Sequence, residues 1–246
     1  RCYDARGEPD DAQRAMDLTG RTVQVAREAA ELAPGDADAR MFHATSTFGH
    51  GVTVFNAGDT DAGLAFVEEA IDAYGELVAD APSWSAARYR LADAIRTRIA
   101  MGVQVGDMMQ TVSLAERGIE AAQDGLELSP EDGRLLAMRV ELRAHRAALE
   151  LRRTDDVDAA CDDAESWVEE WPDGIPAHLE TAGMIALCAD GMPEGDEREA
   201  RFALALDYVA AAFEMGFRPP PGWPEPGDGV ARLAGRDDFE ELVSGD

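Results

Sequence analysis

Apolar positions along this chain recur about every 3.6 residues, and no useful stretch alternates with a period of two. Leu91, Ile95 and Ile99, with Ala87 and Gly102, share one helical face, while Asp93, Thr97 and Gln104 fall opposite. The pattern predicts nine long helices over about 10–33, 37–56, 60–80, 84–104, 107–128, 132–153, 155–171, 175–190 and 196–216. A short helix over 237–243 follows Gly235, and no sheet is expected. Four residue pairs punctuate the helices: Ala33-Pro34, Ala81-Pro82, Ser129-Pro130 and Trp171-Pro172. Midway between them lie glycine or Asp/Thr turns such as Ala57-Gly58-Asp59 and Gly106-Asp107, where one helix stops and the next is capped. Helices that reverse at every turn must lie antiparallel in pairs.

Small side chains keep fixed offsets from the prolines. Ala39, Ala87, Leu135 and Ala177 lie five residues after; Ala44, Ala92, Val140 and Ala182 lie ten after; Thr22, Ala70, Gly118 and Ala160 lie twelve before. Small residues at recurring positions mark close helix crossings, where nothing larger fits. This layout resembles the tetratricopeptide repeat (TPR) family. Ala44, Ala92 and Ala182 match its eighth position, Tyr74 stands where an aromatic is common, and Pro34, Pro82, Pro130 and Pro172 match its terminal proline. The units here are longer, which about two extra turns per helix would supply. The C-terminal stretch from Leu206 to Gly216-Phe217, followed by Asp238-Phe239-x-x-Leu242, is similar to the closing segment of bacterial TPR arrays.

The fold expected is therefore all-α: a right-handed superhelix (solenoid) of antiparallel helix pairs, TPR-like with lengthened helices. Residues 1–218 form the repeat domain, whose opening pair reads as truncated at Arg1, leaving Arg1 to Arg6 of its first helix. Residues 219–246 form a proline-rich connector and a capping helix, a segment in which Leu233, Phe239, Leu242 and Val243 supply the apolar contacts of a cap. A repeat array needs such a cap over its last apolar face.

Charge changes the picture. Against 50 Asp and Glu the chain has 22 basic residues, all arginine, for a net charge of −28. Such a surface repels phosphate backbones and disfavours nucleic-acid partners. It fits a GC-rich coding sequence or a saline habitat, and its self-repulsion weakens the fold at low ionic strength. No apolar run reaches the roughly 20 residues of a membrane span. Cytoplasmic localisation is expected, with the periplasm left open because the chain begins at Arg1. The three cysteines, Cys2, Cys161 and Cys188, show no CxxC spacing, and the latter two read as small buried thiols.

Motifs of catalysis are missing: there is no phosphate-cradling glycine loop, nucleophile elbow, HExxH or EF-hand loop. No enzyme activity, cofactor or metal is expected. His43 and His50 share a helix face but have no acidic residue three or four positions on, so they read as surface or groove histidines. Trp167 and Trp171, four apart at a helix end, read as core.

Ten of the 22 arginines lie on two first-of-pair helices, and Arg139, Arg143, Arg146 and Arg153 form one stripe. The TPR resemblance implies that first helices line a concave groove. The candidate partner-binding residues are Arg96, Arg134, Arg139, Arg143, His145 and Arg146, suited to the carboxylates of an acidic peptide or chain terminus. The competing reading, preferred on sequence, pairs these arginines with the acidic second helices, where Asp155, Asp156, Asp158, Asp162, Asp163, Glu165, Glu169 and Glu170 lie. The functional expectation is a non-catalytic protein-interaction scaffold, with self-association left open. Two alternatives stand beside it. One is the docking segment of a bacterial serine/threonine kinase, implied by the array resemblance; the other is a small-molecule or metal binder around His43 and His50.

Overall fold

The computed structural model describes residues 11–107, 111–154, 156–224 and 229–244. The expectations for Arg1 to Asp10, Cys2 among them, and for Asp155 lie outside these residues. The fold is all-α, with helices following one another along the chain: α1 (Asp11–Leu32), α2 (Ala37–Asn56), α3 (Thr60–Asp80), α4 (Ser85–Val105), α5 (Thr111–Leu128), α6 (Gly133–Thr154), α7 (Val157–Glu170), α8 (Ile175–Asp190), α9 (Asp196–Glu214) and α10 (Asp237–Ser244). No strand occurs among the described residues.

The four prolines all do the same thing. In each linker the residue before proline closes the helix with its N–H, as in Ala33 to Ala29 and Trp171 to Trp167. Its own carbonyl then accepts from the residue three on: Asp36 to Ala33, Trp84 to Ala81, Asp132 to Ser129 and Gly174 to Trp171, at 2.9–3.0 Å. Proline thus occupies the second position of four equivalent tight turns, where its fixed φ is already correct. Aspartates cap helices after both kinds of turn: Asp36 in the first proline linker caps α2, and Asp59 and Asp156 in midway turns cap α3 and α7, each accepting backbone N–H groups. Gly106 ends α4 in the left-handed conformation at φ 79°, its neighbour Asp107 donating to Gly102 at 2.8 Å.

The chain forms two compact units, Arg1–Leu135 and Leu136–Asp246, a boundary that falls inside the span 1–218 expected for the repeats. In the first unit α1 to α5 pack consecutively. Ala44, Val67, Ala70, Tyr74, Ala87, Ala92 and Ile95 are buried there, so the small-residue offsets do mark crossings. Thr22 departs from the rule: it is exposed and its hydroxyl returns to the Leu18 carbonyl at 3.0 Å. Ala39 is only half-buried. Elsewhere in this unit Arg98 is buried (3 % exposed) between Glu68 and Asp107, both at 2.9 Å.

In the second unit Val140, Ala144, Ala160, Trp167, Ala177, Ile185 and Val209 share one core with Val230, Leu233 and Phe239 of the C-terminal segment. Trp171 is half-buried against it. The closing segment is thus built into this core, with Leu242 and Val243 packed at its edge. The sequence suggests only a connector before α10, yet Gly229–Leu233 forms a 3₁₀ turn on α8. Two glycines permit it: a Cβ on Gly183 would stand 2.8 Å from Gly229 Cα, and a Cβ on Gly229 2.7 Å from Gly183 Cα. Trp223 of the connector stacks among Phe213, Phe217 and Phe239, with ring centroids 5.2–6.2 Å apart.

Candidate interaction site

Arginines on α4 and α6 fall into two sets. The first is clamped. Arg143 donates to Asp163 Oδ1 at 2.6 Å, Ser166 Oγ at 2.9 Å and Glu170 Oε1 at 2.7 Å. Arg139 reaches Glu170 at 2.8 Å and Arg146 reaches Asp163 at 3.3 Å. The reason is periodic: arginines at i, i+4 and i+7 of α6 meet carboxylates seven apart on antiparallel α7, so two seven-residue ladders interlock. Burial opposes the Arg143 charge, but the hydrogen bonds to Asp163 and Glu170 more than offset it and hold its pKa above the ordinary value. The guanidinium also lies 5.8 Å from the Trp167 ring centroid. His145 is half-buried on the same helix. Beside this ladder a cleft of about 440 Å³ opens between α6 and α7, lined by Arg146, Glu150, Arg153 and Asp163 among others.

The second set is open. Arg134, its side chain 70 % exposed, donates to the Asp132 carboxylate through Nε at 3.2 Å and Nη2 at 3.0 Å. Its guanidinium stands 5.2 Å from the centroid of Tyr89, and Arg90, also exposed, stands 5.8 Å from that same ring. Arg134 hydrogen bonding holds the Asp132 carboxyl below the usual carboxylate range. Next to this cluster the surface dips over Ser129 to Arg134, a depression of about 750 Å³.

The six predicted site residues therefore do not act as one constellation. Arg139, Arg143 and Arg146 come together, but against α7; Arg96 is held at 2.9 Å by Asp93 one turn back on α4; Arg134 is held by Asp132. The acidic-helix pairing is present for Arg139, Arg143 and Arg146 of the α6 stripe. What sequence reasoning missed is Tyr89, whose ring gathers two arginines 44 residues apart in sequence. The available signal was an aromatic beside Arg90 at the start of a first-of-pair helix.

His50 sits at the junction of α1, α2 and α3. Thr19 Oγ1 lies within hydrogen-bond distance of both the His50 Nδ1, at 2.8 Å, and the Ala15 carbonyl, at 2.9 Å. The imidazole packs edge-on to Phe66 at 4.7 Å, and burial lowers its pKa. A cavity of about 430 Å³ lies alongside, lined by Gly20, Val23, Gln24, His50 and Phe66 with acidic residues at its rim. Among the described residues no three His, Cys, Asp or Glu side chains converge as a metal would require. No described helix is long and apolar enough to cross a membrane.

The chain matches no protein-family model and no curated protein. Among solved structures it is similar to a crystal structure of MamA, at TM-score 0.45 and 14 % identity over 85 % of this chain and 94 % of that one. It is also similar to the MamA RS-1 ArsTM double mutant, at TM-score 0.43 and 13 % identity over 83 % and 89 %. These likenesses are too distant to carry an argument about function.

Proposed function

We propose that this chain is a non-catalytic interaction scaffold whose accessible cationic face is Tyr89, Arg90 and Arg134, and that this face receives a carboxylate-bearing segment of a partner protein. The reading is supported by one observation above others: two exposed guanidiniums share one tyrosine ring on a protein of net charge −28. A stacked guanidinium keeps its in-plane donors directed outward and is already ordered, so little side-chain entropy is lost on binding a carboxylate. Asp132 holds Arg134 in place until a partner carboxylate competes for the same donors. The ladder of Arg139, Arg143 and Arg146 is a poorer candidate, because an incoming acid would have to displace Asp163 and Glu170 from a half-buried seam.

Selection of binders from a random peptide library against the whole protein tests this reading. The expected consensus carries Asp or Glu, and the double variant Arg90→Gln/Arg134→Gln, folded by circular dichroism, binds at least about tenfold more weakly. Binders without acidic residues, or undiminished binding by the double variant, would overturn it.

A further inference from the structure

The apolar arc of α1 is wider than its buried part. Val23 and Ala26 are buried, and the helix packs on α2. Beside this buried strip runs a second apolar line that is open: Leu18, Val25 and Leu32, at 47, 60 and 87 % exposure. They are seven residues apart, so they fall on one line about 21 Å long. Ala15, Thr22 and Ala29 repeat with the same spacing, each three residues earlier, so small and large residues alternate along one seam. Thr22 brings no unmet hydroxyl to it, because Oγ1 donates to the Leu18 carbonyl at 3.0 Å.

In the later second-of-pair helices the same seam is closed. Ala70, Gly118 and Ala160, twelve residues before their prolines, are buried, whereas Thr22 at that offset is exposed. In α3 the closure is helix on helix: a Cβ on Gly51 of α2 would stand 2.9 Å from both Phe66 Cβ and Val67 Cγ2. An open apolar line of this length on a chain this charged marks a contact surface. The charges beside it say what fits. Arg21 and Glu28, both exposed, flank the seam on one side and seven residues apart. Glu28 accepts from Gln24 at 3.2 Å, an exposed bond that a facing guanidinium can replace.

We propose that the open seam of α1 is a self-association surface, on which α1 of a second copy of this chain packs antiparallel. Set Thr22 opposite Val25 of the second copy, and the same register brings Ala15 to Leu32 and Ala29 to Leu18. Every layer then places a small residue against a large one, which lets the two backbones approach evenly. That register also puts Arg21 next to Glu28 of the second copy and, by the two-fold symmetry, Glu28 next to its Arg21. A parallel alignment offers neither: like residues face like, and no acidic residue comes opposite Arg21. The proposal is independent of the acidic-partner reading, because α1 carries none of Tyr89, Arg90 and Arg134.

Analytical ultracentrifugation of the full chain tests it, with reductant present so that no disulfide forms between copies. Sodium chloride at about 0.5 M screens the repulsion between two chains of net charge −28 beyond contact distance. The expected result is a monomer–dimer equilibrium with a dissociation constant on the order of 10 µM. Val25→Asp, folded by circular dichroism, is expected to weaken it at least about tenfold. The reversals Arg21→Glu and Glu28→Arg are each expected to weaken it about fivefold. The double reversal Arg21→Glu/Glu28→Arg is expected to restore it, since each facing pair is again opposite in sign. A chain that stays monomeric up to about 300 µM, or one that dimerises equally well with Val25→Asp, would overturn the proposal. So would a double reversal that dimerises no better than the single ones.

Discussion

Arg143 and Arg134 lie on one helix within three turns of each other, and they live in different chemistry. Arg143, 15 % exposed, is held by two carboxylates and a serine against Trp167. Arg134, 70 % exposed, has one local carboxylate and a tyrosine ring, and its outer edge faces solvent. What separates them is their opposite number. Where an acidic helix runs antiparallel with a matching seven-residue spacing, arginine becomes part of the frame; Arg134, with only the local Asp132 beside it, stays available. Arginine position alone therefore says little about binding until the partner ladder is known.

The contrast can be broken most sharply at Arg98, the extreme of the clamped set. Arg98→Met should cost about 2 kcal/mol in urea denaturation; the loss of a buried pair is reduced here because Glu68 and Asp107 keep access to water. A change indistinguishable from zero would show that the clamp contributes nothing to the fold. Arg143→Gln should cost about 1 kcal/mol in the same measurement, as a multiply bonded but partly wet guanidinium. Arg134→Gln should change stability by less than about 0.5 kcal/mol, since the side chain is mostly solvated. It should also let the Asp132 carboxyl titrate back up toward its ordinary range, followed by NMR. The sign is fixed by linkage: a carboxyl depressed in the folded state stabilises at higher pH, and that contribution is lost as pH falls through the depressed value. Equal destabilisation by Arg134→Gln and Arg143→Gln would erase the distinction between the two sets.

Much of the fold was legible in the residues. Helix limits such as Ala37–Asn56 and Thr60–Asp80 follow from capping aspartates, the Gly58 turn and the Ala81-Pro82 stop, which are local signals. The crossings at Ala44, Ala92 and Ala182 follow from a repeated offset. The candidate site was legible only in part, because a contact such as that between Tyr89 and Arg134 depends on which helix faces which and at what register. The pattern of a single helix carries no such information. The 3₁₀ turn at Gly229–Leu233 was hidden for the same reason: its cause is Gly183, 46 positions earlier.

The four proline turns carry a consequence for how such a molecule changes length. Each hands the chain onward through the same short hinge, closed by its own local bonds and owing nothing to the identity of the rods on either side. A genetic duplication or deletion whose endpoints fall at two of these hinges, such as Pro82 and Pro130, joins like to like and leaves both junctions intact. Descendants one pair longer or shorter would thus be reachable in a single recombination event.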